Sequence, residues 1–189
     1  SIVLNVTNPA AVCSPATVNL TDPAITAGSS ASLTYTYWQD AAATIALANP
    51  AAVGAGTYYI QARTATNPAC YAIKPVTVTV NPTPTLVINQ PSPVCAPGTV
   101  DLATTIGVGT TPGLTYTYWL DAGGTTSPYT TPAIAGDGDY YIKGTTSNGC
   151  FDIKLVTVKT YADVPTVAFN DGFASIICQG SAPKTYTAI

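Results

Sequence analysis

The chain repeats itself at a step of about 82 residues, so any fold for it must be built more than once. Leu33-Thr34-Tyr35-Thr36-Tyr37-Trp38 returns as Leu114-Thr115-Tyr116-Thr117-Tyr118-Trp119, 81 positions later. Gly56-Thr57-Tyr58-Tyr59-Ile60 returns as Gly138-Asp139-Tyr140-Tyr141-Ile142 at a step of 82. Ile73-Lys74 and Val76-Thr77-Val78 return as Ile153-Lys154 and Val156-Thr157-Val158 at a step of 80. Cys13 returns as Cys95 and again as Cys178. Shifts of one or two residues mean loops of unequal length between fixed elements. The repeat divides the chain into two full copies, 1–83 and 84–165, and a third cut short, 166–189, holding its first two strands. Tandem units make length and display surface; a catalytic constellation has no need to be copied along a chain.

A unit of about 80 residues can just support its own core and often needs a staple. Charged residues make up only 8% of the chain, against about 25% in ordinary globular proteins. Thr, Ser and Asn must therefore supply the polar surface. Histidine is absent, all nine acids are Asp, and the net charge is −3. This balance lacks the basic footprint of a nucleic-acid binder. No apolar run approaches the length of a membrane-spanning helix. With neither His nor Glu, the commonest general bases are missing, and no enzyme activity, cofactor or metal is expected.

Cysteine spacing carries the next inference. Cys13 and Cys70 lie 57 residues apart, and Cys95 and Cys150, in the matching places of the second copy, lie 55 apart. The expected bridges are Cys13–Cys70 and Cys95–Cys150, each worth about 4 kcal/mol by chain entropy. Cys178 would be left unpaired because its partner falls beyond Ile189. Disulfides imply an oxidising compartment: periplasm, cell surface or medium. Buried free thiols are the bland alternative. A zinc site is weaker still, because the chain has no CxxC pair and no His.

Each copy reads as short strands separated by turn signals. In the first, strands are predicted near 2–7, 16–21, 32–38, 43–47, 56–64 and 72–80; in the second, near 85–90, 98–103, 113–120, 125–130, 138–146 and 152–160. Leu33, Tyr35 and Tyr37 alternate with Thr34 and Thr36, placing an apolar face inward and a threonine face outward. Val76, Val78 and Val80 alternate with Thr77 and Thr79 in the same way. Prolines at 82 and 84, and again at 165, mark stiff linkers between copies. So many short strands in about 80 residues point to an all-β architecture of tandem β-sandwiches. Gly56-Thr57-Tyr58-Tyr59-Ile60 resembles the immunoglobulin strand in which a tyrosine sits two residues before a cysteine. Ile60 and Ile142 stand in that cysteine's place, and Tyr58 and Tyr140 become candidates for a tyrosine corner. The cysteines would then staple one pole of each sandwich.

The whole repeat resembles the immunoglobulin-like repeats of large secreted surface proteins of Bacteroidetes, many exported by the type IX system. The resemblance rests on Pro93-Val94-Cys95, Thr99-Val100-Asp101-Leu102, Tyr116-Thr117-Tyr118-Trp119, Gly138-Asp139-Tyr140-Tyr141-Ile142, Asn148-Gly149-Cys150 and Val156-Thr157-Val158. The first copy matches except at Asn67-Pro68-Ala69-Cys70, where Asn-Gly-Cys would stand. The resemblance implies extracellular display in an adhesin, a filament or a stalk that carries an enzyme. It implies self-association or continuation in a filament and names no ligand.

Asp137-Gly138-Asp139 could join a calcium site, but Ala55 and Thr57 hold the matching places in the first copy; a polar turn is the preferred reading. Asp40 and Asp121 recur two residues after the tryptophan and are expected to cap the following turn. Trp38 and Trp119 are the candidate binding or packing residues, turned to the outer face by strand alternation. A strand-end tryptophan partly covered by its own loop is preferred, followed by packing between chains, then stacking on a sugar of a surface glycan. The segment from Val167 to Ile189 is expected to continue into further chain, in preference to completion by a neighbouring molecule.

Overall fold

The computed structural model describes residues 2–64 and 70–161. Two compact units divide between Thr83 and Pro84. The partial third repeat expected at 166–189, with Cys178, lies outside the described residues, as does the turn 65–69.

The first unit contains β1 (Val12–Cys13), β2 (Leu33–Trp38), β3 (Gly56–Thr64), β4 (Tyr71–Val78) and β5 (Val80–Asn81). The second contains β6 (Val94–Cys95), β7 (Thr115–Trp119), β8 (Gly138–Thr145), β9 (Phe151–Val158) and β10 (Thr160–Tyr161). In each unit three antiparallel strands form one sheet, in the orders β2-β3-β4 and β7-β8-β9. The register is uninterrupted, with Tyr37 opposite Ile60 and Ile60 opposite Lys74. The matching residues, Tyr118, Ile142 and Lys154, are aligned in the same way. The short strand that opens each unit runs parallel to the one that closes it: Val12 beside Val80, and Val94 beside Thr160.

Alternation explains the core. Ile60 and Ile142 have no exposed surface, and each lies at the centre of its unit's cluster. Leu20, Val53, Val76 and Val78 surround Ile60, with Tyr35 and Tyr37 packed against them. Leu102, Ala135, Val156 and Val158 surround Ile142, with Tyr116 and Tyr118 in the matching places. The second layer is thinner than expected. The predicted strands 16–21 and 98–103 reduce to single bridges, Val18 to Val53 and Val100 to Ala135. Those at 43–47 and 125–130 reduce to Ala46 against Trp38 and Pro128 against Trp119. The predicted strands 2–7 and 85–90 carry one bridge, Ile88 to Ile106, and are otherwise tied by backbone bonds interleaved with hydroxyls. Val3 and Asn5 N–H groups donate to Ser30 and Ser29 Oγ at 3.0 Å. Thr85 and Val87 N–H groups donate to Thr111 and Thr110 Oγ1 at 2.9 and 3.0 Å. Hydroxyls here satisfy donors that a neighbouring strand would otherwise satisfy.

The predicted disulfides are not formed. Cys70 is a free, exposed thiol, whereas Cys13, Cys95 and Cys150 are disulfide-bonded. The reason is the strand that closes each unit. Cys13 lies beside Asn81 and Cys95 beside Tyr161. Cys70 and Cys150 each stand eleven residues earlier, just before β4 and β9 begin. An extended chain of eleven residues spans about 35 Å, while bridged cysteines bring their Cα atoms within about 7 Å. The two cysteines of each copy therefore occupy opposite poles of its sandwich.

Candidate functional site

The outer face of each three-stranded sheet is the candidate site. In the first unit Trp38, Tyr59 and Pro75 stand side by side across β2, β3 and β4. In the second, Trp119, Tyr141 and Leu155 form the same row. Inward neighbours Tyr58, Ile60, Tyr140 and Ile142 fill the core, so strand alternation turns these rows outward. Both tryptophans are half-buried. Each indole N–H donates to the threonine two residues earlier: Trp38 to Thr36 Oγ1 at 3.0 Å and Trp119 to Thr117 Oγ1 at 2.8 Å.

Below these rows the two units diverge. In the first, Gln61 is buried and its Oε1 accepts from Thr36 Oγ1 at 3.3 Å and from Arg63 Nε at 3.0 Å. The Arg63 guanidinium lies 5.1 Å from the Tyr71 ring. Trp38, Thr36, Gln61 and Arg63 thus form one continuous polar chain over β2 and β3. In the second unit Lys143 replaces Gln61, opposite Thr117. Its Nζ lies 4.1 Å from the Phe151 ring and 5.9 Å from that of Trp119, and donates to the Gly124 carbonyl at 3.2 Å. A cation therefore covers an aromatic ring on both faces, by different residues. The sequence reading missed Gln61, Arg63 and Lys143. Their signal was the alternation of β3 and β8, which puts every second residue on the tryptophan's face.

The loop after each tryptophan is built on an aspartate. Asp40 accepts from the N–H groups of Thr44 and Ile45 at 2.7–3.1 Å. Asp121 accepts from those of Thr125, Thr126 and Ser127 at 2.8–3.3 Å. The Ile45 N–H bond, foremost, holds the Asp40 carboxyl below the usual carboxylate range. Partial desolvation pushes Asp121 upward, but the N–H donors of Thr125, Ser127 and Thr126 outweigh it and the net shift is downward. Gly124 lies on this loop with φ +57°, and a Cβ there would sit 3.4 Å from Trp119 Cδ1. The loop thus packs against the indole, as for a strand-end tryptophan covered by its own turn.

Tyr58 and Tyr140 each donate a hydroxyl to a carbonyl four residues upstream, Gly54 and Gly136, at 3.2 Å. Burial, with Tyr129 close by, raises the Tyr140 pKa. Asp137 and Asp139 are engaged within their own unit: Asp137 accepts from the Thr160 N–H and Asp139 from the Thr157 hydroxyl, both at 2.7 Å. Among the described residues no group of three or more His, Cys, Asp or Glu stands close enough to hold a metal ion, and no helix is long and apolar enough to cross a membrane.

A three-stranded antiparallel sheet, an opening strand parallel to the closing one, and a tyrosine bonded back to its own corner define each unit as an immunoglobulin-like β-sandwich. The chain carries two in tandem. No family profile and no curated protein matches it. Solved structures with which it shares some likeness include immunoglobulin domains 1–5 of Sidekick-1, at 13% identity and a TM-score of 0.31 over 69% of this chain. Extracellular domains 3–5 of Drosophila OTK align at 16% identity and a TM-score of 0.38 over 68% of it. The two Ig domains of DIP-gamma align at 11% and 0.32 over 85% of this chain and 97% of that one. The chain spans 32% of the Sidekick-1 chain and 52% of the OTK chain.

Proposed function

We propose that this chain is a section of an extracellular structural or adhesive repeat protein, part of a cell-surface filament or adhesin, with no catalysis of its own. One observation carries the reading: the aspartate and tyrosine that recur in each copy are engaged within their own unit, and the same way in both copies. Asp40 and Asp121 organise the loop after the tryptophan, and Tyr58 and Tyr140 close their corners. The three disulfide-bonded cysteines favour an oxidising location, and the repeat's resemblance to Bacteroidetes surface proteins favours a bacterial surface. Labelling intact cells with a membrane-impermeant amine reagent tests the location. The expected result is label on this chain without lysis; label only after lysis defeats the reading. Turnover of any substrate by the purified 189-residue chain would equally defeat it.

The outward rows Trp38-Tyr59 and Trp119-Tyr141 favour one second reading, a repeat that holds a carbohydrate by ring stacking. A glycan array separates the two. Binding lost in Trp38→Ala and Trp119→Ala would support the carbohydrate reading; no binding by the parent chain would leave the structural one. A spacer in a longer secreted enzyme is a variant of the structural reading and makes the same prediction for this stretch.

A further inference from the structure

The two edges of each three-stranded sheet are finished differently. Along β4 and β9, side chains take up outward backbone groups. Asn8 Oδ1 accepts from the Thr77 N–H at 2.9 Å. In the second unit Gln90 Oε1 accepts from the Thr157 N–H at 2.9 Å, and Gln90 Nε2 donates to the Leu155 carbonyl at 2.8 Å. Asp152 Oδ1 accepts from the Ile153 N–H at 2.9 Å. Pro75, in the place of Leu155, has no N–H to offer. Caps and prolines of this kind keep an edge from recruiting another strand.

The opposite edge, along β2 and β7, is open over part of its length. The loop after each tryptophan fixes the sense of alternation there. Leu47 N–H donates to the Tyr37 carbonyl and Gln39 N–H to that of Ile45, both at 2.9 Å; Tyr129 N–H donates to Tyr118 and Leu120 N–H to Ser127, both at 2.8 Å. Tyr37 and Gln39 thus turn their backbone groups away from β3, and by alternation so do Leu33 and Tyr35. The same step turns those of Tyr116, and of Leu114 just before β7, away from β8. Among the described residues no hydrogen bond reaches these outward groups. The open window ends alike in both copies. At one end stand the bonded Tyr37 and Tyr118; at the other, Ser32 and Gly113, with φ +55° and +76°, turn the chain out of the strand. Leu33-Thr34-Tyr35 and Leu114-Thr115-Tyr116 carry no charge and no proline.

We propose that this window is a self-pairing edge, to which the same window of a second copy of this chain adds as an antiparallel strand. The occupant follows from the window's own symmetry. A two-fold axis through Thr34 sets Leu33 opposite the partner's Tyr35 and Tyr35 opposite the partner's Leu33. Each such pair exchanges two N–H···O bonds, so the outward groups of both chains are satisfied together. The side chains match as well. Half-buried Leu33 meets half-buried Tyr35 on the core side, exposed threonines meet on the outer side, and no like charges oppose. The window reads Leu-Thr-Tyr in both copies, so either copy of one chain can pair with either copy of another. Three residues make a weak contact alone; repetition along a chain multiplies it. The inference goes beyond the structural reading and does not depend on where the chain is displayed.

Sedimentation velocity of the 189-residue chain over a dilution series tests this, with amide hydrogen exchange followed on the same samples. The expected result is reversible association that grows with concentration, with exchange slowing at the Leu33, Tyr35, Leu114 and Tyr116 amides as it grows. A chain that stays monomeric at the highest attainable concentration, or that associates without slowing those amides, overturns the proposal. Charge reversal at the exposed threonines tests the register. Thr34→Lys combined with Thr115→Lys sets like charges face to face and is expected to weaken association at least about tenfold, with an unchanged circular dichroism spectrum. Thr34→Asp combined with Thr115→Asp is expected to stay monomeric alone and to pair with the lysine chain when the two are mixed. Undiminished association of the lysine chain, or failure of the mixture to pair, overturns the register and the proposal with it.

Discussion

Ala43 and Gly124 hold the same place, five residues after each tryptophan, and share a left-handed backbone, with φ +55° and +57°. A side chain in that conformation costs about 1 kcal/mol relative to glycine. Ala43→Gly is therefore expected to stabilise the first unit by about 0.5–1 kcal/mol, read as a higher urea midpoint. Gly124→Ala should do the reverse and by more, about 1–3 kcal/mol. Its Cβ would lie 2.9 Å from Ile153 Cδ1 and 3.1 Å from Lys143 Cδ, besides the unfavourable φ. The same loops set an acid dependence. Folding lowers the Asp40 and Asp121 pKa values, so the folded chain binds fewer protons than the unfolded one. Their contribution is fully present above the unfolded carboxylate value, about 3.9, and is lost as the pH falls through the folded values. A denaturation midpoint that drops as the pH falls below about 4, with a smaller drop in Asp40→Asn, is the expected result. The capping role of these aspartates was legible from their position after a strand-end tryptophan. The left-handed residue was not, because alanine carries no turn signal.

At the scale of the element, the hairpins were legible and the second layer was not. Leu33 to Trp38 and Gly56 to Thr64 alternate over a full strand and became β2 and β3 almost to the residue. Segments 2–7 and 85–90 carry the same kind of apolar residue, yet Ser29, Ser30, Thr110 and Thr111 hydroxyls take alternate places among the backbone bonds there. Periodicity reports which side faces the core and not what satisfies the backbone. The cysteine error has a related cause. Equal spacing of 57 and 55 residues revealed equivalent positions, but the pole each occupies depends on the parallel pairing of β1 with β5 and β6 with β10. Those two-residue strands have no pattern to read. The core itself makes firm predictions. Ile60→Ala and Ile142→Ala should each cost about 2–5 kcal/mol in their own unit. Tyr58→Phe and Tyr140→Phe should cost about 1 kcal/mol through the lost corner hydrogen bond. Calorimetry of the whole chain reads both series.

For the whole molecule, the repeat and its all-β class were legible at once, because eighty-residue units with the same turns and alternation admit few other packings. The outer face was legible only in part: the tryptophans were found, and the polar and cationic groups on the same face were not, since Gln61 and Lys143 differ between copies. A section of a filament or adhesin predicts that the native polypeptide, reduced and denatured, has a mass many times the 19.3 kDa of this stretch. A native mass near that value would instead make this a discrete subunit.

The parallel pair that opens and closes each unit has a mechanical consequence. In the first, the Val12 N–H donates to Thr79 at 3.1 Å and the Ser14 N–H to Asn81 at 2.8 Å. In the second, Val94 and Ala96 donate to Lys159 and Tyr161 at 3.0 and 2.8 Å. Tension applied along the chain would pull β1 from its leading end and β5 from its trailing end. These bonds would then be loaded in shear and must break together instead of unzipping singly. Forced extension is governed by the rate of unfolding and not by equilibrium stability. Val12→Pro, which removes one of these donors, should lower the rupture force of the first unit in single-molecule pulling and leave that of the second intact. Units built this way would resist being pulled apart by the geometry of their end strands, even with sandwiches of modest thermodynamic stability.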